Sequence, residues 1–162
     1  MSDEWTVERR WTTQAGLDGL VVRRDTPAFG SWPATVSRCG YVALPPEHPW
    51  HGIKTDGEVR ERLRETLYGA TIDDLGVIPF LLAAVSGDVV ARTLAMQVNV
   101  HGGLTFAGHL KVDPDPWRIG FDCAHAGDSD DYWTEERVAE EVERLADQCF
   151  LVAQQAAMEV TP

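Results

Sequence analysis

Two short motifs hold three of the chain's five histidines, together with two aspartates and five glycines. The first is Val98-Asn99-Val100-His101-Gly102-Gly103-Leu104-Thr105-Phe106-Ala107-Gly108-His109. The second is Gly120-Phe121-Asp122-Cys123-Ala124-His125-Ala126-Gly127-Asp128. Imidazole moves protons near neutral pH, and imidazole and carboxylate together ligate borderline metal ions. His101, His109, Asp122, His125 and Asp128 supply enough nitrogen and oxygen for one zinc, manganese or iron ion, whose bound water would serve as a nucleophile. Without a metal, Asp122 orienting His125 makes a general base. The spacing matches no metalloenzyme signature. Each residue alone also has a plainer reading: Gly102-Gly103 as a turn, Asp122 as a cap on the amides of the next loop, His125 as its hydrogen-bond partner.

For these side chains to converge, strands must carry them. Alternate residues of a strand point to opposite faces. With Met96 to Val100 and Leu104 to Gly108 as two strands, a three-residue loop His101-Gly102-Gly103 pairs Val100 with Leu104 and Val98 with Phe106. One face is then apolar, and the other carries Gln97, Asn99, Thr105, Ala107 and His109. A one-residue slip would mix the faces, so the clean pattern selects this register. Gly103 suits the left-handed residue that ends such loops. In Arg118 to Ala124, Ile119, Phe121 and Cys123 share one face and Gly120, Asp122 and Ala124 the other. With apolar faces aligned, Asn99, Thr105, His109 and Asp122 should line a hollow that Gly120, Ala107 and Ala124 leave open. His125 and Asp128 follow in the loop beyond the strand, where binding residues are often carried.

The remaining chain reads as a frame for this site. Trp5 to Thr12 alternates, with Arg9 interrupting its apolar face. Leu20 to Arg24 is the return strand and Val36 to Leu44 a third, closed by Pro45-Pro46. The loop Glu47 to Gly52 carries His48, Trp50 and His51 and is a secondary contributor to the site. Thr55 and Glu58 have capping-box spacing before a helical pattern at Val59, Leu63 and Leu67. Ile78 to Val85 is apolar throughout. Lys111 to Trp117, with Asp113-Pro114-Asp115-Pro116, reads as a loop. The clearest helix runs from Glu135 to Ala157 after an N-cap at Thr134. Its stripe of Val138, Val142, Leu145, Cys149, Val152 and Ala156 should cover the sheet, although a homodimer interface would read identically. The fold expected is α+β: a mainly antiparallel sheet of five or six strands, a long C-terminal helix on one face, and a helical insertion near 54–95 within a single domain, 1–162.

With 162 residues and 44% hydrophobic content, a buried core is expected. Net charge is −12, which repels phosphate backbones and argues against nucleic-acid binding. No apolar run approaches a membrane span, and Met1-Ser2-Asp3-Glu4 shows no signal peptide, so a cytoplasmic location is expected. Cys39, Cys123 and Cys149 are dispersed, with no CxxC pair, which fits reduced thiols rather than a disulfide framework or a zinc ribbon.

The segments Val100-His101-Gly102-Gly103-Leu104-Thr105 and Gly120 to Asp128 resemble a family of small proteins from bacteriophages and bacteria, especially actinobacteria. Gly40-Tyr41-Val42, followed by Pro45, His48-Pro49 and Gly52, and the acidic C-terminal helix extend the likeness. It departs at Trp117-Arg118-Ile119, where relatives carry an aromatic pair, and in a longer Lys54 to Ala95 connector. The resemblance implies a phage or prophage setting, hence the host cytoplasm, and names no activity.

Two classes of function follow. In the first, the protein binds a small polar ligand, such as a nucleotide or nucleotide-derived immune signal. His101, Gly102, Gly103, Thr105, His109, Asp128, Asn99 and Trp50 would contact it, with Asp122 and His125 at the centre and Trp50 or Trp117 stacking on a base. In the second it is a hydrolase, with Asp122 and His125 catalytic and a divalent metal held among His101, His109, Asp122, His125 and Asp128. An acidic inhibitor that binds a host protein is a third reading.

Overall fold

A computed structural model describes residues 2–61 and 93–160. Five antiparallel strands form one sheet: β1 (Glu4–Thr12), β2 (Asp18–Thr26), β3 (Thr35–Leu44), β4 (Phe106–Leu110) and β5 (Asp113–Asp122). Their order is β1-β2-β3-β5-β4, so the chain leaves β3 for the far edge and returns as β5. A single helical turn, α1 (Leu94–Gln97), precedes β4, and α2 (Glu135–Val160) packs on the sheet. The architecture is the expected α+β sheet with its C-terminal helix. No helix among the described residues is long and apolar enough to cross a membrane.

The stripe of α2 sets the main core. Val138, Val142, Leu145, Cys149 and Val152 are buried against Val21, Val42, Trp117, Ile119, Phe121 and Cys123. Gly40 lets the helix approach: a β-carbon there would collide with Val142 and Phe121. The opposite face buries Leu20, Val22, Cys39, Tyr41 and Leu110. Arg118, fully buried, pairs there with Asp113 and Asp18. Arg9, which breaks the alternation of β1, follows a bulge between Val7 and Arg9.

Several local expectations are corrected. Met96 to Val100 is not a strand, because α1 occupies its start and Val98–Val100 has no strand partner. Val100 to Gly103 is a turn closed by the Gly103 N–H on the Val100 carbonyl (2.9 Å), and Val98 does not pair with Phe106. Gly102 and Gly103 both have positive φ, +67° and +84°. Lys111 to Trp117 is not a loop, since β5 begins at Asp113. Pro114 and Pro116 are tolerated because the ladder to β3 begins only at Trp117. β4 also turns the opposite face from that expected: Phe106 lies opposite Gly120 and Ala107 opposite Ile119, so Phe106 rather than Ala107 shares the face of Gly120. The hollow expected beside Gly120 is filled by the Tyr41 ring, which a β-carbon on Gly120 would strike. Phe106 packs edge-on against Tyr41 at 5.5 Å. Thr55 to Glu61 is turn and bridge rather than the start of a helix, with Glu58 bridging Thr93. The rest of the expected helical insertion, with Leu63, Leu67 and Ile78 to Val85, lies outside the described residues.

Candidate functional site

Asp128 is the centre of the cluster. Its side chain is 10% exposed, and five contacts converge on it. The His101 Nε2 lies 3.0 and 2.9 Å from its two oxygens. The His125 backbone N–H donates to Oδ2 at 2.9 Å, and His125 Nδ1 lies 3.3 Å from the same oxygen. The Trp133 indole N–H donates to Oδ1 at 3.1 Å. Burial alone would raise the Asp128 pKa. Hydrogen bonds from His101, the His125 amide and Trp133 outweigh it, and the carboxyl titrates below its usual range. At neutral pH it is a carboxylate.

Backbone geometry brings the rings to it. His101 enters at the second position of the Val100–Gly103 turn, whose third position needs the positive φ that Gly102 supplies. The absence of a side chain at Gly102 also leaves room for the His125 ring. His125 sits in the loop after β5, closed by the Asp128 N–H on the His125 carbonyl at 2.9 Å. The two imidazoles meet edge to face at 5.4 Å, and Trp133 lies against His101 at 4.2 Å. Donor atoms of His101, His125 and Asp128 all lie within 4.8 Å of one another.

The helix fixes this turn from below. The His101 N–H donates to Glu141 Oε1 at 2.7 Å, and Arg144 holds the other Glu141 oxygen at 2.9 Å. Gln148 accepts from the Asn99 N–H at 2.8 Å and donates to the Asn99 carbonyl at 2.9 Å. The side-chain amide thus supplies the two bonds that a neighbouring strand would have made.

The other expected residues are placed unequally. Asp122 accepts from the Ala124 N–H at 3.1 Å, and its Oδ1 lies 3.9 Å from His125 Nδ1. It borders the cluster and caps the loop. Gly103 is buried in the turn. Asn99 contributes its backbone groups to Gln148. Thr105 is exposed, its N–H donating to the Gly120 carbonyl at 2.9 Å. His109 belongs to a different neighbourhood: its ring meets Trp117 at 5.4 Å, and its Nδ1 lies 3.2 Å from the Pro116 carbonyl. Trp50 is wholly buried in the core, its indole N–H donating to the Glu61 carbonyl. Sequence reasoning missed Trp133, Glu141 and Gln148. Glu141 left a signal, as a charged residue inside the apolar stripe between Val138 and Val142.

Protein-family models, curated proteins and solved structures give no match to this chain.

Proposed function

We propose that His101, His125 and Asp128 bind one divalent transition-metal ion, with zinc the best match, and that the protein uses it to hydrolyse a small polar substrate. The observation that carries this reading is the mutual approach of the three donor groups within 4.8 Å. In a tetrahedral zinc site, neighbouring donors lie about 3.4 Å apart. The 2.9 and 3.3 Å separations between Asp128 and the two rings are near that edge. Binding would widen the 2.9 Å pair and draw the longest separation, up to 4.8 Å, inward, with the bridging proton displaced by the ion.

Two imidazoles and a carboxylate leave a fourth position for water, as catalytic zinc sites do. Such a water has a lowered pKa and is a nucleophile at neutral pH. Asp122 Oδ1 lies 3.9 Å from His125 Nδ1, the nitrogen that also faces Asp128, and so adds negative charge at the edge of the ion site. Direct binding of a nucleotide-like ligand is the weaker reading, because the aromatic platforms it needs, Trp50 and Trp117, are both buried.

Titration of chelator-treated protein with zinc or manganese chloride tests the ion site. One ion per chain is expected, with affinity reduced about 10- to 100-fold or more in H101A, H125A and D128N. No binding, or equal binding in all variants, would overturn it. The hydrolase step is read separately, as turnover of 4-nitrophenyl acetate and bis(4-nitrophenyl) phosphate by metal-loaded protein. An ion bound without turnover removes the hydrolase and keeps the site.

A further inference from the structure

The β2–β3 ribbon ends in two large aromatic side chains that the fold leaves in solvent: Phe29 is 83% exposed and Trp32 75%. They are not a disordered tip. The Phe29 N–H donates to the Trp32 carbonyl at 3.0 Å, and the Trp32 N–H to the Phe29 carbonyl at 2.9 Å. Gly30, with φ of +58°, is the first residue of the two-residue turn between them, and no non-glycine residue described has positive φ. That combination belongs to the tight type II′ hairpin, whose twist matches the strands it joins. Phe29 opposite Trp32 continues the register of Thr26 opposite Thr35 and Asp25 opposite Val36. Directly opposed residues share a face, so both side chains leave the ribbon on the same side.

We propose that this aromatic pair is a docking site for a polypeptide segment of another protein that carries apolar and basic side chains. Trp and Phe are enriched in protein interfaces, and here the backbone that carries them is already fixed as a hairpin, so it has little conformational freedom left to lose on binding. Pro27 and Pro33 flank the pair and carry no N–H, so a partner is not captured by strand addition at the tip. Recognition falls to the rings. No charged residue occurs from Thr26 to Ser37, while the whole chain carries −12. An anionic membrane or a nucleic acid is repelled by that body, and a basic peptide is drawn to it.

The register places the tip relative to the His101–His125–Asp128 loop. Phe29 and Trp32 continue the alternation of the face that carries Arg38 and Gly40, the α2 side. Arg38 Nη1 donates to the Trp133 carbonyl at 3.1 Å and lies 3.4 Å from the Asp130 carbonyl, in the loop that follows Asp128. From Trp32 to Arg38 the ribbon spans roughly 20 Å, so the two sites are separate. The docking surface does not depend on a metal at that loop.

A displayed library of random 12-residue peptides, selected on chelator-treated wild-type protein, is the test. Expected is enrichment of sequences that combine apolar with Lys or Arg residues. The enriched peptides, made synthetically, should bind F29A/W32A at least 10-fold more weakly, with its melting temperature unchanged because both side chains are exposed. Any of three results overturns the proposal: no enrichment, equal binding of enriched peptides to the double variant, or tip-dependent binding only to phosphatidylcholine vesicles or to a second copy of this chain by sedimentation.

Discussion

The ring of His125 occupies the space that a β-carbon on Gly102 would need. This one relationship couples the two motifs. Gly102 is kept free of a side chain by a turn that needs φ of +67°, and also by the imidazole lodged against it. Gly102→Ala should therefore meet the backbone penalty of its positive φ, about 1 kcal/mol, and lose a further 1–3 kcal/mol by displacing the His125 ring. Urea unfolding of Gly102→Ala in the wild-type and His125→Ala backgrounds measures the second part, which should be relieved when the ring is gone. Equal losses in the two backgrounds would show that His125 moves aside freely.

Asp128→Asn keeps the size of the side chain and removes its charge. Trp133 and the His125 amide donate to different oxygens of Asp128, so the single asparagine oxygen can accept from one of them and not both, and it no longer offers two acceptor oxygens to His101. Stability should fall by about 1–3 kcal/mol, and zinc affinity should fall with it. If only stability falls, the carboxylate is a loop staple and nothing more.

His48 provides a pH probe outside the site. Its Nε2 faces the Cys149 carbonyl at 2.9 Å, which requires a proton there, and its Nδ1 accepts the Trp50 N–H at 3.0 Å. The neutral ring satisfies both partners, and a second proton would face the Trp50 donor. Burial lowers the pKa, and the bond to the Cys149 carbonyl only partly opposes it. The unfolded chain therefore takes up the proton first. This contribution to stability is complete above about pH 6.5 and is lost as pH falls through that value toward the folded pKa. Urea midpoints at pH 7.5 and 5.5 should drop more for the wild type than for His48→Gln, whose amide can both donate and accept without titrating. Parallel drops would contradict the assignment.

Glu141 is 7% exposed and holds the His101 amide. Glu141→Ala leaves that N–H without its acceptor and Arg144 without its partner. A loss of about 1–3 kcal/mol is expected, with weakened zinc binding although Glu141 is not a ligand. Glu141→Gln, which still accepts from the amide, should recover most of the binding. Failure of that rescue would point to charge rather than to positioning of the turn.

Much of the frame was legible because it repeats a period. The α2 stripe placed the helix side of the core, and the density of His, Asp and Gly marked the loops that meet, whereas the alternating face of β1 leaves Trp5 and Val7 exposed and brings only Trp11 against the core. The errors have physical causes. Val98-Asn99-Val100 alternates like a strand because its backbone is extended, but its neighbour is the Gln148 side chain, 49 residues away. The two prolines of Asp113–Pro116 suggested a loop, yet they lie where no ladder donor is needed. The face of β4 was inverted because pairing by apolarity alone cannot foresee that Gly120 makes room for Tyr41. His109 went with that face. Asp128 was counted as one donor among five, and its central position emerged only from the fold, since Trp133 and His101 reach it from separate elements.

Glu141 and Gln148 are seven residues apart, two turns of one helix, and both grip the same short run of backbone from Asn99 to His101. Two pegs on one rod make a gauge. Substitutions on the outer face of α2 leave the gauge unchanged, whereas one residue inserted between the pegs turns the second about 100° around the axis and lifts it 1.5 Å. Over evolutionary descent this segment should accept many changes of letter and almost no change of length.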